Sequence, residues 1–303
     1  MMNGYSRERG ATETAMNQPE ENHIIGRGRM LAITMFSVLI VYLLWNVAAL
    51  SFVAYPFRLF VTYVHEAGHA LAAIISGGEV VGFTVSSDGS GLATTRGGSR
   101  ALILPAGYIG AAMFGAGLFY VVHRWPQAVR WTAGVIGGGL IVFTLLYARP
   151  DAHGAPIALI VGLLFGAGLL ALAYRASGQI TILVLSVLAI MTGLNAVLDI
   201  TTLVGWADSC AAIGRDVVCN DAYAFHRDVA PFLPAAAWAL IWAAISIALC
   251  AASVYYSLVQ PLLAGEESQQ VTAERTPANT TRRGDGLDGI KRDKDGNIDW
   301  SQF

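Results

Sequence analysis

Long apolar segments separated by short polar ones dominate the chain. They span roughly residues 31–53, 57–76, 100–122, 129–148, 155–174, 179–203 and 233–259. Each is near the length of about 20 residues that an α-helix needs to cross the hydrocarbon core of a bilayer. The pattern therefore predicts an all-α integral membrane protein with about seven transmembrane helices.

The two ends of the chain are polar. Residues 1–29 and 261–303 show no hydrophobic periodicity, so we expect disordered tails, the first of them cytoplasmic. Residues 30–260 between them form the predicted multi-spanning membrane domain. The first apolar run is too long for the core of a signal peptide, and we interpret it as a membrane helix.

One short stretch, directly after the second apolar segment, favours β-structure. Residues 79–85 alternate and are rich in β-branched side chains, 86–91 are turn formers, and 92–96 could return as a second strand. This pattern predicts a β-hairpin.

The composition agrees with a membrane protein. The chain has 303 residues, of which 55% are hydrophobic and 13% charged, whereas soluble domains carry about 25% charged residues. The net charge of −2 and the absence of a basic stripe exclude a nucleic-acid partner. Cys210, Cys219 and Cys250 make neither a disulfide framework nor a metal-binding pair, and we expect Cys210 and Cys219 to be reduced in a cytoplasmic loop.

The arginines between the apolar segments indicate an orientation. A cytoplasmic N-terminus with seven spans places most arginines inside and the C-terminal tail outside, as the positive-inside rule requires. The arginines then predicted to be cytoplasmic are Arg27, Arg29, Arg96, Arg100, Arg149, Arg215 and Arg227, and those predicted to be external are Arg124, Arg130 and Arg175. Because no organelle signal is visible, we expect a plasma membrane.

Candidate chemistry lies in the second apolar segment, which contains a His-Glu-x-x-His motif. His65 and His69 are one helical turn apart on one face, so both imidazoles can reach one metal ion. Glu66 overlaps that face and can act as general base on a metal-bound water. Ionisable groups inside a membrane segment are costly unless they are functional, which favours a catalytic site over a chance match.

A catalytic zinc site needs a third protein ligand and an open position. Asp199 is the one ionisable residue in the segment 179–203, and Asn195 precedes it by one turn. In the seven-span topology, His69 and Asp199 both lie within roughly 10 Å of the cytoplasmic boundary. His123, His153 and His226 are predicted to lie in loops, and His226 is the rival third ligand.

On these residues the chain resembles the M50 family of membrane metallopeptidases, the site-2 proteases, and most closely its M50B-like branch. The resemblance covers most of residues 57–260. The matching motifs are Val64-His65-Glu66-Ala67-Gly68-His69-Ala70-Leu71, Gly77-Gly78, Asp88-Gly89-Ser90-Gly91, Arg96-Gly97-Gly98, Ala106-Gly107-Tyr108-Ile109-Gly110, Leu194-Asn195-Ala196-Val197-Leu198-Asp199, Asp221-Ala222, and Trp238 with Trp242.

The resemblance implies Zn²⁺ bound by His65, His69 and Asp199, with Glu66 as the base. It also implies that residues 79–97 form a hairpin that dips into the membrane beside the substrate. One departure concerns the third ligand, because Ile200 follows Asp199 where many site-2 proteases have glycine. The sequence suggests no physical role for Asp221.

The predicted function is therefore an intramembrane zinc metalloprotease. It would hydrolyse peptide bonds of membrane proteins or peptides with a zinc-activated water, and it would hold the unwound substrate against an edge strand of the hairpin. Asn195 could hydrogen-bond the substrate. The alternative is a non-proteolytic metal-binding membrane protein, either a transporter or a scaffold. A transporter would need more ionisable residues along its path, and a scaffold would be expected to lose Glu66.

Overall fold

The structure is a computed structural model that describes residues 26–213 and 220–263, without the side chains of residues 27 and 200–213. The helices are α1 (Arg27–Asn46), α2 (Ser51–Ile75), α3 (Arg100–Ile103), α4 (Ala106–Arg124), α5 (Val129–Tyr147), α6 (Ile157–Arg175), α7 (Gly178–Ile213), α8 (Asp221–Asp228) and α9 (Ala235–Val254). The strands are β1 (Glu79–Val85) and β2 (Gly91–Arg96). The described residues up to Leu258 form one compact unit, and a second unit begins at Val259 and is described only to residue 263.

The all-α membrane class is confirmed. Six helices of the described residues are long and apolar enough to cross a membrane. These segments are Gly28–Asn46, Ala106–Arg124, Pro126–Tyr147, Ile157–Arg175, Gly178–Asp199 and Ala235–Leu263. Helix α2 is a seventh long helix, with 25 residues, and it carries the ionisable motif. The predicted tails lie almost wholly outside the described residues.

Two predicted boundaries differ from the structure. The first apolar run ends at Asn46, where Val47 is extended, whereas Pro56 lies inside α2 and does not break it. A proline in an early turn removes one backbone hydrogen bond without ending the helix. The polar segment 204–231, which we expected to be the loop that contains Cys210 and Cys219, is mostly helical in its described residues, because α7 continues to Ile213 and α8 follows. The prediction that Cys210 and Cys219 are reduced concerns side chains outside those that the structure describes.

Glycines bring α4 close to its neighbours. A Cβ atom at Gly68 of α2 would lie 2.2 Å from the backbone oxygen of Ala106, and one at Gly115 would lie 2.6 Å from the backbone nitrogen of Gly193 in α7. Only residues without a side chain allow backbones to approach so closely. Helix α4 is thereby held between α2 and α7, with its first residues beside the His-Glu-x-x-His motif.

The predicted hairpin is confirmed as an antiparallel pair of β1 and β2. Phe83 of β1 is fully buried, its ring packs on Tyr63 of α2, and its carbonyl accepts a hydrogen bond from the Arg149 N–H at 2.9 Å. The turn lies along α2, where Thr62 Oγ1 donates to the Gly89 carbonyl at 2.8 Å. These contacts fix the hairpin against the helix that carries the motif.

One hydrogen bond defines which segments share an end of the bundle. Thr34 Oγ1, near the start of α1, lies 2.8 Å from Nε2 of His123, near the end of α4. His123 is therefore a buried helical residue rather than the loop residue that we expected. The beginning of α4 lies at the opposite end, beside His65. Helices α1 and α2 together thus lead from one end of the bundle to the other once.

In this arrangement, arginines that we expected on the same, cytoplasmic side of the membrane lie at opposite ends of the bundle. The start of α1, with Arg27 and Arg29, lies at the end of the bundle where α4 finishes, whereas the hairpin and the α3 start lie at the other end. The described arginines at the first end are Arg29, Arg124, Arg130 and Arg175, and those at the second are Arg96, Arg100, Arg149 and Arg227. With Arg27 included, five arginines of the described residues lie at the first end and four at the second, a difference too small for the positive-inside rule to select an orientation. The cytoplasmic N-terminus remains a prediction.

Candidate metal centre

The two histidines of the motif point at the same place. His65 and His69 lie one turn apart on α2, and their Nε2 atoms are 3.1 Å apart. Nδ1 of His69 donates to the carbonyl oxygen of Ile103 at 2.6 Å, because a carbonyl can only accept. That bond fixes the ring and leaves the lone pair of Nε2 free for a metal ion.

Asp221 completes a group of three possible ligands. Its Oδ2 atom lies 3.3 Å from Nε2 of His69 and 3.5 Å from Nε2 of His65. Within the described part of the chain, these three side chains form the group of His, Cys, Asp and Glu residues whose ligand atoms all lie within 4.8 Å of one another.

The group fits a tetrahedral metal ion. Ligand atoms about 2.0–2.1 Å from a tetrahedral Zn²⁺ are separated by about 3.3 Å, because the edge of a tetrahedron is about 1.6 times its radius. The three observed separations of 3.1, 3.3 and 3.5 Å agree with this value. Three protein ligands leave the fourth position open, as catalytic zinc sites require.

Space for the site depends on Gly107, at the start of α4. A Cβ atom at this position would lie 2.3 Å from Nε2 of His65 and 2.4 Å from Nε2 of His69. Any side chain here would occupy the place where the two imidazoles converge. The glycine therefore both brings α4 close to α2 and keeps the ligand atoms accessible.

Helix α8 places Asp221 by local and tertiary contacts. The Asn220 side chain caps the helix by accepting from the N–H of Tyr223 at 2.8 Å. Phe225 packs edge-on against Trp238 and Trp242 of α9. Asp228 at the end of α8 accepts a hydrogen bond from Arg100 of α3 at 2.5 Å. Both ends of this short helix are thus held.

The charge state of Asp221 suits a metal ligand. Partial burial raises the pKa of its carboxyl, but the imidazoles of His69 and His65 outweigh that effect and hold the pKa well below its ordinary value. The carboxyl group is consequently ionised, as a ligand must be.

Glu66 lies beside the ligands and is held by the hairpin. It is buried, and its Oε2 atom accepts a hydrogen bond from the N–H of Ala93 in β2 at 2.8 Å. A Cβ atom at Gly91 would lie 2.6 Å from Cγ of Glu66, so the hairpin can approach only because glycine stands there. Within the described residues, Oε1 of Glu66 has no hydrogen-bond partner.

Asp199 lies near the three-ligand group but outside it. Its carboxylate accepts a hydrogen bond from Nδ2 of Asn195, one turn earlier on α7, and it interacts electrostatically with His65 and Arg58. The structure therefore brings together His65, Glu66 and His69 as predicted, with Asp221 closer to them than Asp199. His226, the rival third ligand, lies in α8 outside the three-ligand group, and its Nδ1 atom donates to the carbonyl of Leu233 at 2.7 Å.

Sequence reasoning missed the position of Asp221, although one signal was available. Asn220-Asp221 is a helix start, with a capping residue followed by an acidic residue in the first turn. A helix within the supposed loop would have placed a fixed carboxylate near the end of the bundle.

Comparison with known proteins agrees with the geometry. The Peptidase M50B-like family matches residues 33–253, which include both histidines, Glu66 and Asp221. No curated protein and no solved structure matches the chain. Since the matched region is well over half of the sequence, the chain belongs to the Peptidase M50B-like family.

Proposed function

We propose that the protein is a zinc-dependent endopeptidase that cleaves membrane proteins or peptides within or near the bilayer. The observation that carries this proposal is the three-ligand group with the Glu66 carboxylate beside it, at the edge of a membrane-spanning bundle. The family membership supports the same reaction class.

Each residue of the site has a separate task. His65, His69 and Asp221 would hold Zn²⁺, which supplies polarisation of the scissile carbonyl and a water of lowered pKa. Glu66 would accept a proton from the attacking water on Oε1 and pass it to the leaving amine, as a general base that becomes a general acid. The N–H of Ala93 keeps Oε2 engaged and so orients Oε1.

The hairpin gives the substrate a place to bind. Because Ala93 directs its N–H toward Glu66, the outer edge of β2 faces the site. A helical substrate must unwind before its carbonyls can react, and the unwound segment can pair with this edge. The binding partners that this function implies are a membrane-embedded polypeptide substrate and the lipid bilayer. The predicted hydrogen bond from Asn195 to the substrate competes with its bond to Asp199.

We assign the third ligand to Asp221 and keep Asp199 as the competing prediction. Asp221 is favoured because it lies within 3.5 Å of both imidazole nitrogens. The protein would be a multi-pass protein of the plasma membrane with a cytoplasmic N-terminus. In that orientation the metal centre lies at the end of the bundle opposite to the N-terminus.

Loss of hydrolysis without loss of metal tests the mechanism. Glu66→Gln keeps the size and the hydrogen bond to Ala93 but cannot accept a proton. The zinc-loaded protein in detergent is incubated with a pooled library of single-span peptides, and new termini are read by mass spectrometry. We expect cleavage by wild type and by the control Glu79→Gln, whose exposed carboxylate pairs with Arg96 in the hairpin, and none by Glu66→Gln. Cleavage by Glu66→Gln at the wild-type rate would refute the proposal.

A further inference from the structure

A cavity lies beside the contact between α2 and α4, and the reaction described above does not use it. Its volume is about 680 Å³, and α2, α4 and α5 supply most of its walls. Gly68 and Ala106 both line it, at the point where a Cβ atom on Gly68 would lie 2.2 Å from the oxygen of Ala106. His65, His69 and Gly107 do not line it, so the cavity is a space separate from the metal centre.

The lining of the cavity is apolar. Of the described residues that line it, only Tyr63 carries a hydroxyl, amide or charged group in its side chain. Tyr63 Oη donates to Thr144 Oγ1 at 2.8 Å, because Thr144 gives its own proton to the carbonyl of Leu140 at 2.6 Å. The lining side chains therefore offer a ligand apolar contact and no free hydrogen-bonding group. A pocket of this size and character suits a small apolar molecule or chain.

The cavity lies in one half of the membrane. Its walls on α4 and α5 belong to segments that are long and apolar enough to cross a bilayer. Along α4 the lining extends from Ala106, the first residue of the helix, to Phe114, which is a length of about 12 Å. A hydrocarbon core of about 30 Å gives each leaflet about 15 Å. The cavity therefore has the length of one leaflet, and the exposed residues Ile75 and Leu102 border it at the end of the bundle that holds the metal centre.

The size of the cavity favours a narrow chain over a helix as its occupant. An α-helix with its side chains is about 10–12 Å across. A cylinder about 10 Å wide reaches the volume of the cavity after about 9 Å, which is the length of about six helical residues. A membrane-spanning helix has about 20 residues, so most of it would lie outside. A flexible hydrocarbon chain is narrow enough to enter the cavity along its whole length.

We propose that the cavity binds one acyl chain of a bilayer phospholipid, from the leaflet at the end of the bundle that holds the metal centre. Such a chain is apolar, is narrower than a helix and is present at the depth of the cavity. Lipid tails are as apolar as the cavity walls, so the hydrophobic effect does not drive this binding. Binding is favoured because the wall atoms of an unfilled cavity lack dispersion contacts, which the chain supplies. The bound chain packs against Gly68 and Ala106, behind the turn of α2 that carries the two histidines.

The test uses two pairs of variants that differ only in whether the new side chain enters the cavity. Gly139 of α5 lines the cavity and its neighbour Gly138 does not, and nothing lies within 4 Å of a Cβ atom at either position. Gly139→Trp therefore fills the cavity without a backbone clash, and Gly138→Trp is its control. On α4, Met113→Trp fills the cavity from the other side, and Gly117→Trp is the control because Gly117 does not line it.

Each full-length protein is reconstituted with a phosphatidylcholine that carries a diazirine near the end of one acyl chain, and is then purified again in detergent. The headgroup has no net charge, so arginines at the membrane surface contribute little to retention. Native mass spectrometry counts the lipids that remain bound, and irradiation followed by peptide mass spectrometry locates the chain. Parallel samples contain palmitate or a single-span peptide with the same photoreactive group.

We expect wild type and both control variants to retain one phospholipid per chain, and both cavity-filling variants to lose it. In wild type the diazirine should label residues that line the cavity, such as Leu71 and Phe114. Equal retention by all five proteins, no retention by wild type, or labelling only outside the cavity would overturn the inference. Retention of palmitate in place of phospholipid, or labelling of the same residues by the single-span peptide, would also overturn it. None of these outcomes depends on zinc or on hydrolysis, so they are distinct from a failure of the proposed function.

Discussion

Oδ2 of Asp221 lies 3.3 Å from Nε2 of His69, and this short separation joins two distant parts of the chain. His69 is on a long apolar helix, whereas Asp221 opens a short polar helix that follows α7. The distance is that of two ligands on one tetrahedral ion rather than that of a direct hydrogen bond. The position of α8 therefore decides whether the proposed three-ligand centre is complete.

Zinc content distinguishes the two candidate third ligands. We expect purified wild-type protein to bind one Zn²⁺ per chain, and His65→Ala and Asp221→Ala to lose most of it, because each removes a ligand. Asp199→Ala should retain its zinc. Zinc is measured by elemental mass spectrometry after dialysis. The control is Asp88→Ala, which replaces an exposed carboxylate in the turn of the hairpin. Zinc lost in Asp199→Ala and retained in Asp221→Ala would restore the assignment made from the sequence.

Gly107→Ala should abolish metal binding without changing any ligand. The new methyl group would lie 2.3–2.5 Å from His65 and His69 atoms, so the imidazoles must move apart. Gly117→Ala is the matched control on the same helix, because nothing lies within 4 Å of its Cβ position. We expect zinc content and thermal stabilisation by zinc to be lost in the first variant only. Equal zinc binding by both variants would show that the ligand atoms do not converge beside α4.

Gly91→Ala should separate catalysis from metal binding. Its methyl group would lie 2.6 Å from Cγ of Glu66 and 2.8 Å from Cγ2 of Thr62, which pushes β2 away from the catalytic carboxylate. Because displacement by about 1 Å can reduce a rate about 10²-fold, we expect a fall of that order in kcat/KM with zinc unchanged. Gly82→Ala in β1 meets only Thr94 atoms at 3.7–3.8 Å and serves as the control. If both variants cleave as fast as wild type, the hairpin does not position Glu66.

The ion pair that holds α8 should contribute to metal affinity. Arg227 and Arg100 keep the pKa of Asp228 below its usual value, so its carboxylate is charged at neutral pH. Asp228→Asn weakens the tie to Arg100 and should reduce zinc affinity about tenfold, as loss of supporting contacts around metal ligands does. Glu79→Gln breaks the exposed pair with Arg96 and is the control. The zinc affinities of both variants are measured by competition with a fluorescent chelator. Equal affinities of Asp228→Asn and Glu79→Gln would show that α8 is held by its apolar contacts alone.

Much of the site followed from local sequence. The spacing of His65, Glu66 and His69 fixes their common helix face, whatever surrounds them. Hydrophobic length predicted the membrane helices in the same local way. The choice between Asp199 and Asp221 as third ligand could not be made from local sequence, because it depends on the packing of α8. Asp199 was favoured because its predicted depth in the membrane matched that of His69. That comparison did not consider α8, which lies in a segment that we expected to be a loop.

Counting spans could not predict at which end of the bundle α1 begins, for a related reason. Counting spans assumes that every long apolar segment crosses completely, yet α1 ends at Asn46 and α2 starts after a short turn. The contact between Thr34 and His123 places the start of α1 at the end of the bundle opposite to the His-Glu-x-x-His motif. The helices of the described residues that are long and apolar enough to cross a membrane are α1, α4, α5, α6, α7 and α9. If these six are the crossings, the described bundle begins and ends on the same side of the membrane, whereas seven crossings would place its two ends on opposite sides.

Cysteine labelling tests this topology. In a background with Cys210, Cys219 and Cys250 replaced by serine, single cysteines are introduced as Gly28→Cys, Arg124→Cys, Asp88→Cys and His153→Cys, all at exposed positions. An impermeant maleimide is applied to intact cells and to inverted vesicles. Because Thr34 contacts His123, Gly28→Cys and Arg124→Cys should label from one side, and the other two from the opposite side. If Gly28→Cys labels together with Asp88→Cys, α1 and α2 each cross fully, and the metal centre lies on the side of the N-terminus as the seven-span count predicts.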